Sequence, residues 1–519
     1  MFIKKRLIAF LLFTFGAAFA AVQPAGIFTD GTVLQCDEPV RIWGTAEPGE
    51  EVTVEFAEHS QKAVADKNGK WMITLAPMPA SSDARKITFT SSIDNQKSLI
   101  SNVLVGEVWL AGGQSNMASM MRNYSKTTQP DIDSANDPLL RMVTIPRLEF
   151  AGQNNDTPQW LEATPKNVSG FSASAYYFAK NLRETLNVPV GIVTCCVGAT
   201  PAEAWMSRET LESTKSMKRI VDAYETGTRK NFPTDADYEK QYQEYLEKQQ
   251  EYLKTRQGPR PQQEMGPKNY RRPFGLYETM LSQTIPYTVR GAIWYQGENN
   301  ANSQAGHHYR EVFPALINEW RKDFMNPNMP FLFVQLATYG PAKDETPYWP
   351  ELRDAQKWVE KNVDNTGMIV LTDGGEEKNI HPHSKPIVGK RLSLLARKMV
   401  YGEKDLVARG PKLSNVEKQN GSLCLSFENT GSGLVLKDEP ISAFEIAGKD
   451  EAFVPADAEL SNGKIIVSSK EVTKPEMVRY GWKKWFIPTL FNEDGLPASP
   501  FSTDPRPQVT EGRFYLDTL

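Results

Sequence analysis

Between Leu104 and Val400 the chain alternates short apolar runs with amphipathic stretches at helical spacing, and that alternation limits its fold more than any other feature. Runs suited to buried strands fall at 105–110, 141–145, 190–194, 292–295, 331–336 and 368–372. Between them, Ala175, Phe178, Ala179, Leu182 and Leu186 share one helical face. Val312, Phe313, Leu316, Ile317 and Trp320 share another, with Pro314 in its first turns, where a missing N–H costs little. Strands that alternate with helices predict an α/β domain with a largely parallel sheet, whose ligands sit outside the carboxyl ends of the strands.

The rhythm differs on either side. From Gly26 to Thr90 the apolar residues keep period two, as in Val52, Val54 and Phe56, and turns such as Asn68-Gly69 punctuate them. Short strands with hairpin turns such as Asn462-Gly463 return from Gly410 to Asp504. The 519 residues exceed what one core organises. The expected division is a leader at 1–20, an N-terminal β-sandwich at 21–103, an α/β domain at 104–408 and a C-terminal β-rich domain at 409–519. An insertion at about 207–274 interrupts the α/β pattern. There Tyr238, Tyr242, Tyr245, Tyr252 and Leu253 recur at helical spacing among many charged residues. It reads as a solvated helical hairpin packed on the domain, or as a lid whose tyrosines stack on sugar rings.

The leader carries Lys4, Lys5 and Arg6, an apolar run and Ala18-Phe19-Ala20, the pattern of a cleaved signal peptide. The apolar run is too short for a membrane span, so the expected destination is the periplasm or the exterior. Cleavage removes three positive charges and no negative one, taking the formal net charge from −4 to −7. An acidic chain without basic clusters is a poor nucleic-acid binder. The four cysteines, Cys36, Cys195, Cys196 and Cys424, do not space as a disulfide framework or as metal ligands. The sequence implies neither a metal nor a cofactor, and it leaves the oligomeric state open.

The first strand of the alternation runs Val108-Trp109-Leu110-Ala111 into Gly112-Gly113-Gln114-Ser115. A buried strand broken by two glycines delivers a hydroxyl to the edge where ligands bind, so Ser115 is a candidate nucleophile. The plain alternative is a serine that caps an ordinary strand–helix turn. A serine hydroxyl needs a base to take its proton, and the chain has five histidines. His59 lies in the first β-rich region, and His307-His308 precede a helix without a strand end to place them. His381 follows the last strand of the alternation, stiffened by Pro382, which makes it the expected base, with His383 as runner-up.

These stretches, together with Trp294-Tyr295-Gln296-Gly297-Glu298-Asn299-Asn300 and Ile380-His381-Pro382 followed by Gly389-Lys390-Arg391-Leu392, resemble the SGNH hydrolases. The sialate O-acetylesterase-like family within them is the nearer match, and the resemblance runs from about Gly26 to Asp504. It implies a flavodoxin-like parallel sheet, a serine esterase that removes O-acetyl groups from carbohydrates, and sialic acids as the acetylated sugar. Acetylated xylan or other plant polysaccharides are the alternative substrates. The oxyanion-hole donors implied are the Ser115 N–H, the N–H of Gly198 in Val197-Gly198-Ala199-Thr200-Pro201, and the side-chain amide of Asn300. Gln296, in the same loop, is expected to orient substrate. Glu298 reads as a scaffold residue, and Trp205 as packing beneath the site or against a sugar face.

One departure stands out. Many SGNH enzymes place an aspartate three residues before the histidine, where this chain has Lys378, and nearer relatives often place one two before, where it has Asn379. The expected orienting group is therefore Glu377 or a main-chain carbonyl near Asn379. The same departure keeps open a non-catalytic glycan-binding protein.

Overall fold

The structure, a computed structural model, describes residues 22–93, 95–148, 157–341, 343–437 and 443–516. The expected leader at 1–20 lies outside the described residues.

Seven strands form the sheet of the α/β region: β1 (Lys97–Gly113), β2 (Asp137–Thr144), β3 (Trp160–Ala163), β4 (Val190–Cys196), β5 (Gly291–Tyr295), β6 (Phe331–Val334) and β7 (Thr366–Ile369). Across the sheet the order is β3-β2-β4-β1-β5-β6-β7, and every pairing is parallel except β3 with β2. A flavodoxin-like sheet, the arrangement the resemblance implies, has the parallel strand order 2-1-3-4-5. The complete parallel order departs from it by β2, which precedes β4 in sequence but lies outside it.

Side chains that point to both faces of a parallel sheet must be apolar, and β5 and β6 are buried at every residue. Helix α1 (Ala173–Leu186) packs along α6 (Lys385–Met399) on one of those faces. Gly389 makes that packing possible, since a Cβ there would lie 2.3 Å from the Cβ of Tyr177. Helices α4 (Tyr309–Asp323) and α5 (Tyr348–Asn362) also pack together, and Trp320 of α4 meets Trp294 of β5 edge-on at 5.4 Å.

The N-terminal region is two sheets. Gln23–Pro24, Val40–Thr45 and Lys70–Leu75 form one, and Glu51–Phe56, His59–Val64 and Ser81–Ser91 belong to the other. Trp71 and Phe89 meet between the two at 5.9 Å. The second sheet runs into the α/β sheet through β1, a strand of 17 residues that pairs with Ser81–Ser91 at its start and with β4 and β5 at its end. The boundary expected between residues 103 and 104 therefore falls inside one continuous strand, and the two regions share a single apolar core. The C-terminal β-rich region has its own core, built on Leu425, Phe444, Tyr480 and Phe501. Its last stretch leaves that core: Phe514, Tyr515 and Leu516 join the core of the α/β region, and the Thr510 hydroxyl accepts the His307 N–H.

The insertion forms α2 (Lys215–Asn231) and α3 (Asp235–Thr255). Thr234 caps α3 with a reciprocal bond to Asp237. Phe232, Tyr238 and Tyr242 make a small core of their own at its base.

Candidate active site

Strand β1 ends at Gly113, whose φ of +130° suits only glycine; a Cβ there would lie 2.2 Å from the Tyr295 carbonyl oxygen. This tight approach turns the chain so that Ser115 opens a short helical turn, Ser115–Ala118, at the carboxyl edge of the sheet. His381 arrives from the loop after β7, and its Nε2 lies 2.8 Å from the Ser115 hydroxyl oxygen. The structure brings together these two residues, 266 positions apart. His383, the runner-up base, instead has its Nδ1 against Glu376 at 2.8 Å.

A buried network fixes that meeting. The Asn116 side-chain amide donates to Glu298 and to the Ile380 carbonyl, and its oxygen accepts from the Lys385 ammonium. One side chain thus ties together the serine turn, the loop after β5 and both ends of the histidine loop. Gln114 adds a second tie, since its side-chain oxygen accepts the Asn299 N–H at 3.1 Å. Asp373, one of the acids near His381 in sequence, is held by Arg391 through two bonds of 2.6 Å and is committed to anchoring the same loop. Lys385 is fully buried, and burial draws its pKa down to about 7 against the opposing pull of Glu298 and Glu376. Burial likewise raises the Glu298 carboxyl, with Asn116 holding it back.

Among the described residues no carboxylate is hydrogen-bonded to the His381 ring. Its Nδ1 has no hydrogen-bond partner among the described residues, so the geometry does not support Glu377 in that role. The Glu377 main-chain carbonyl accepts from Gly340. Asn379 holds the backbone of His381 instead of its ring: its amide oxygen accepts the His381 N–H at 3.0 Å, and its nitrogen donates to the His381 carbonyl at 2.8 Å. Burial, and then the charge of Lys385, lower the His381 pKa, which favours the neutral ring that a base requires.

Two further expectations are corrected by burial. Asn300 is 1 % exposed, and its amide nitrogen donates to both oxygens of Glu203 while its oxygen accepts from Ala202 and Gln296. It has no donor left for substrate. Gln296 is fully buried between Gln114, Thr200, Asn300 and Tyr309, and so it is a scaffold residue. Asn299, the neighbour of Asn300 and absent from the expected site residues, faces the cavity beside Ser115 and Gly198. One amide hydrogen of Asn299 goes to the Ala199 carbonyl at 3.2 Å, which leaves the other. A Cβ on Gly198 would sit 3.4 Å from the Cβ of Ser115, and neither the Gly198 nor the Ser115 N–H donates to a protein group among the described residues. Glycine's small size and the turn after Glu298 were the available signals; which of two adjacent asparagines turns inward is decided by Glu203, whose burial pushes its pKa up to about 7. Trp205 packs beneath the site, fully buried, against Trp294 at 6.2 Å.

Above Ser115 opens a cavity of about 920 Å³, near the upper end of the range that encloses drug-sized ligands. Its floor is the serine turn, Gly198 and the histidine loop; its wall is the insertion, through Tyr242, Tyr245 and Gln249 of α3. A three-residue cluster able to hold a cation, Cys36, Asp37 and Glu107, lies elsewhere, where Arg290 already pairs with Glu107 at 2.9 Å.

The family model described as carbohydrate esterase, sialic acid-specific acetylesterase, matches residues 105–252 and 264–398. The chain belongs to that family, and it is a carboxylic ester hydrolase. Human sialate O-acetylesterase is 26 % identical over 511 residues, covering 89 % of this chain and 88 % of the human one. The mouse sialate O-acetylesterase is similar at the same identity. The crystal structure of a carbohydrate acetylesterase from Xanthomonas citri superposes with a TM-score of 0.77 at 32 % identity, covering 93 % of this chain and all of that one. No described helix is long and apolar enough to cross a membrane.

Proposed function

We propose that this esterase hydrolyses O-acetyl groups on carbohydrates through an acetyl–Ser115 intermediate, with O-acetylated sialic acids as its substrates. The observation that carries the reading is the 2.8 Å contact between Ser115 and His381 beside unengaged N–H groups. His381 Nε2 takes the Ser115 proton as the oxygen attacks the acetyl carbonyl. The N–H groups of Ser115 and Gly198 and the side-chain amide of Asn299 stabilise the oxyanion that forms. Collapse of that intermediate breaks the bond to the sugar oxygen, which leaves with the proton held by His381. Water then repeats the sequence with His381 as base, and releases acetate and free Ser115.

The sialic acid assignment is supported by the family and by the curated relatives, whose names carry that substrate. The serine–histidine edge and the β4-β1-β5-β6-β7 order support the SGNH reading. Export rests on the leader sequence alone. Acid quench during turnover of an aryl acetate, followed by mass spectrometry, tests the intermediate. An acetyl group on the peptide containing Ser115 supports it, and rapid turnover without any protein acetylation excludes it. Release of acetate from O-acetylated sialic acid faster than from acetylated xylan supports the substrate; the reverse order assigns the enzyme to plant polysaccharides.

A further inference from the structure

The stretch 509–516 leaves the C-terminal β-rich region and lies against the α/β region. Its anchor is Glu351 of α5, 2 % exposed, whose carboxylate accepts the Val509 N–H at 2.8 Å, the Thr510 N–H at 2.9 Å and the Thr510 hydroxyl at 2.5 Å. Three donors compensate the carboxylate for the water it has lost and fix the chain that supplies them. Beyond that anchor, three consecutive residues reach three separate pieces of the cavity's surroundings. Arg513 donates to Gln304, two positions past Asn302, which lines the cavity. The Phe514 ring meets the buried His308 ring edge-on at 4.4 Å, and the Arg219 guanidinium of α2 lies 3.9 Å from its centroid. Tyr515, 5 % exposed, donates its hydroxyl to the Arg271 carbonyl at 3.4 Å. Arg271 adjoins Tyr270, which lines the cavity and packs both on the main apolar core and on the small core of α3.

The wall needs such support. Helix α3 buries only Tyr238 and Tyr242 of its 21 residues, so few apolar contacts hold it against the domain. It leans on the chain that leads to Tyr270: the Lys268 N–H donates to the Tyr238 hydroxyl at 2.9 Å, and a Cβ on Gly266 would lie 2.3 Å from the Tyr238 ring. Tyr238, Tyr242 and Tyr245 then stack in series at 5.9 and 6.1 Å, and the last two face the cavity. Contacts between packed rings thus run from Tyr515 to the wall, and close packing passes position along because it leaves no slack.

We infer that residues 509–516 brace the wall of the catalytic cavity, with Phe514 and Tyr515 as positioning residues that hold Tyr242, Tyr245 and Tyr270 where a sugar meets them. The brace takes no part in the reaction at Ser115. The inference rests on the esterase reading above and adds to it the part of the chain that sets how tightly the sugar is held. A wall fixed before the ligand arrives costs less to order on binding, so loosening it weakens binding and leaves the acyl-transfer step intact.

The test measures kcat and KM of Phe514→Ala on O-acetylated N-acetylneuraminic acid and on 4-nitrophenyl acetate, a small ester that occupies little of the cavity of about 920 Å³. KM for the sugar should rise about two- to tenfold, with kcat on both esters within about twofold of wild type. Amide hydrogen exchange of the same protein should be faster in α3 and unchanged in β1, β4 and β5. Arg219→Gln, at an exposed position of α2, removes the cation from the same ring and carries the test if F514A does not fold; a rise of about two- to fivefold in KM for the sugar is expected. An unchanged KM in a folded variant overturns the inference. So does an equal fall in kcat on both esters, which assigns the stretch to the stability of the whole fold, and so does exchange in α3 that stays at the wild-type level. Should the wild type turn over neither ester, the esterase reading falls, and the exchange measurement alone decides the brace.

Discussion

In and beneath the floor of the cavity, Gln114, Asn116, Gln296, Glu298 and Lys385 are each no more than 3 % exposed and bond to one another or to the loops they join. On its wall, Tyr245, Gln249, Gln250 and Leu253 hang from a helix whose local core is three aromatic residues. A buried polar group without a partner costs about 1–3 kcal/mol, so each floor residue constrains its neighbours and the set must be kept together. Wall residues carry no such mutual obligation. They can change one at a time, which suits the part of a site that chooses a substrate, while the interlocked part performs the reaction.

Removing the proposed nucleophile should give the largest effect on the floor. Ser115→Ala is expected to lower kcat for acetate release by at least about 10⁴-fold with the thermal midpoint unchanged; retained turnover would mean that the chemistry lies elsewhere. Next comes the network. Asn116→Leu leaves Lys385 and Glu298 buried without their shared partner, a loss of about 3–5 kcal/mol in denaturant unfolding, accompanied by loss of activity. A variant as stable as wild type would show that the floor is not interlocked.

The two adjacent asparagines divide the floor's roles. Asn299→Ala should lower kcat by about 10²–10³, equivalent to about 2.7–4 kcal/mol, with little change in stability. Asn300→Ala should show itself first in unfolding, by about 1–3 kcal/mol, because both oxygens of Glu203 lose their donor. The opposite result for the pair would restore Asn300 to the oxyanion site. On the wall, Tyr245→Ala should raise KM for a sugar ester by about two- to tenfold and change kcat less. A fall in kcat alone would place the tyrosine with the floor.

The same division governs what could be read from the sequence. The serine and Gly198 follow strands that hydrophobic runs mark clearly, the histidine lies in the loop after the last of them, and the family motifs span the floor. Asn299 and Asn300 differ by one position, and only the pairing of Asn300 with the buried Glu203 decides which of them faces the cavity. Gln296 looked available because glutamine is polar, yet four surrounding groups from separate stretches of chain enclose it. The 17-residue strand that fuses the N-terminal sheets to the α/β sheet was hidden as well, because a strand that changes partners midway keeps the same local pattern. For the insertion, tyrosines at helical spacing fit a solvated hairpin or a cavity wall equally, and only tertiary packing turns Tyr242 and Tyr245 toward Ser115.

The smallest expected effect concerns the missing acid. Burial and the charge of Lys385 both disfavour the imidazolium of His381, so the ring stays neutral below the ordinary histidine pKa of about 6.5. The acid limb of kcat/KM should therefore lie below pH 6.5. The sign for stability is the same: the unfolded chain binds the proton more readily. The contribution from this group is complete above about pH 6.5 and is lost as pH falls through that value toward the lower folded one. A carboxylate paired with Nδ1 would act in the opposite sense, raising the pKa. If Glu377 held the ring, Glu377→Gln would lower kcat by as much as about 10⁴-fold and move the acid limb further down. With Nδ1 unpaired and the loop held through the backbone by Asn379, Glu377→Gln should leave both the limb and kcat within about twofold of wild type, as a pH–rate profile of the two proteins would show.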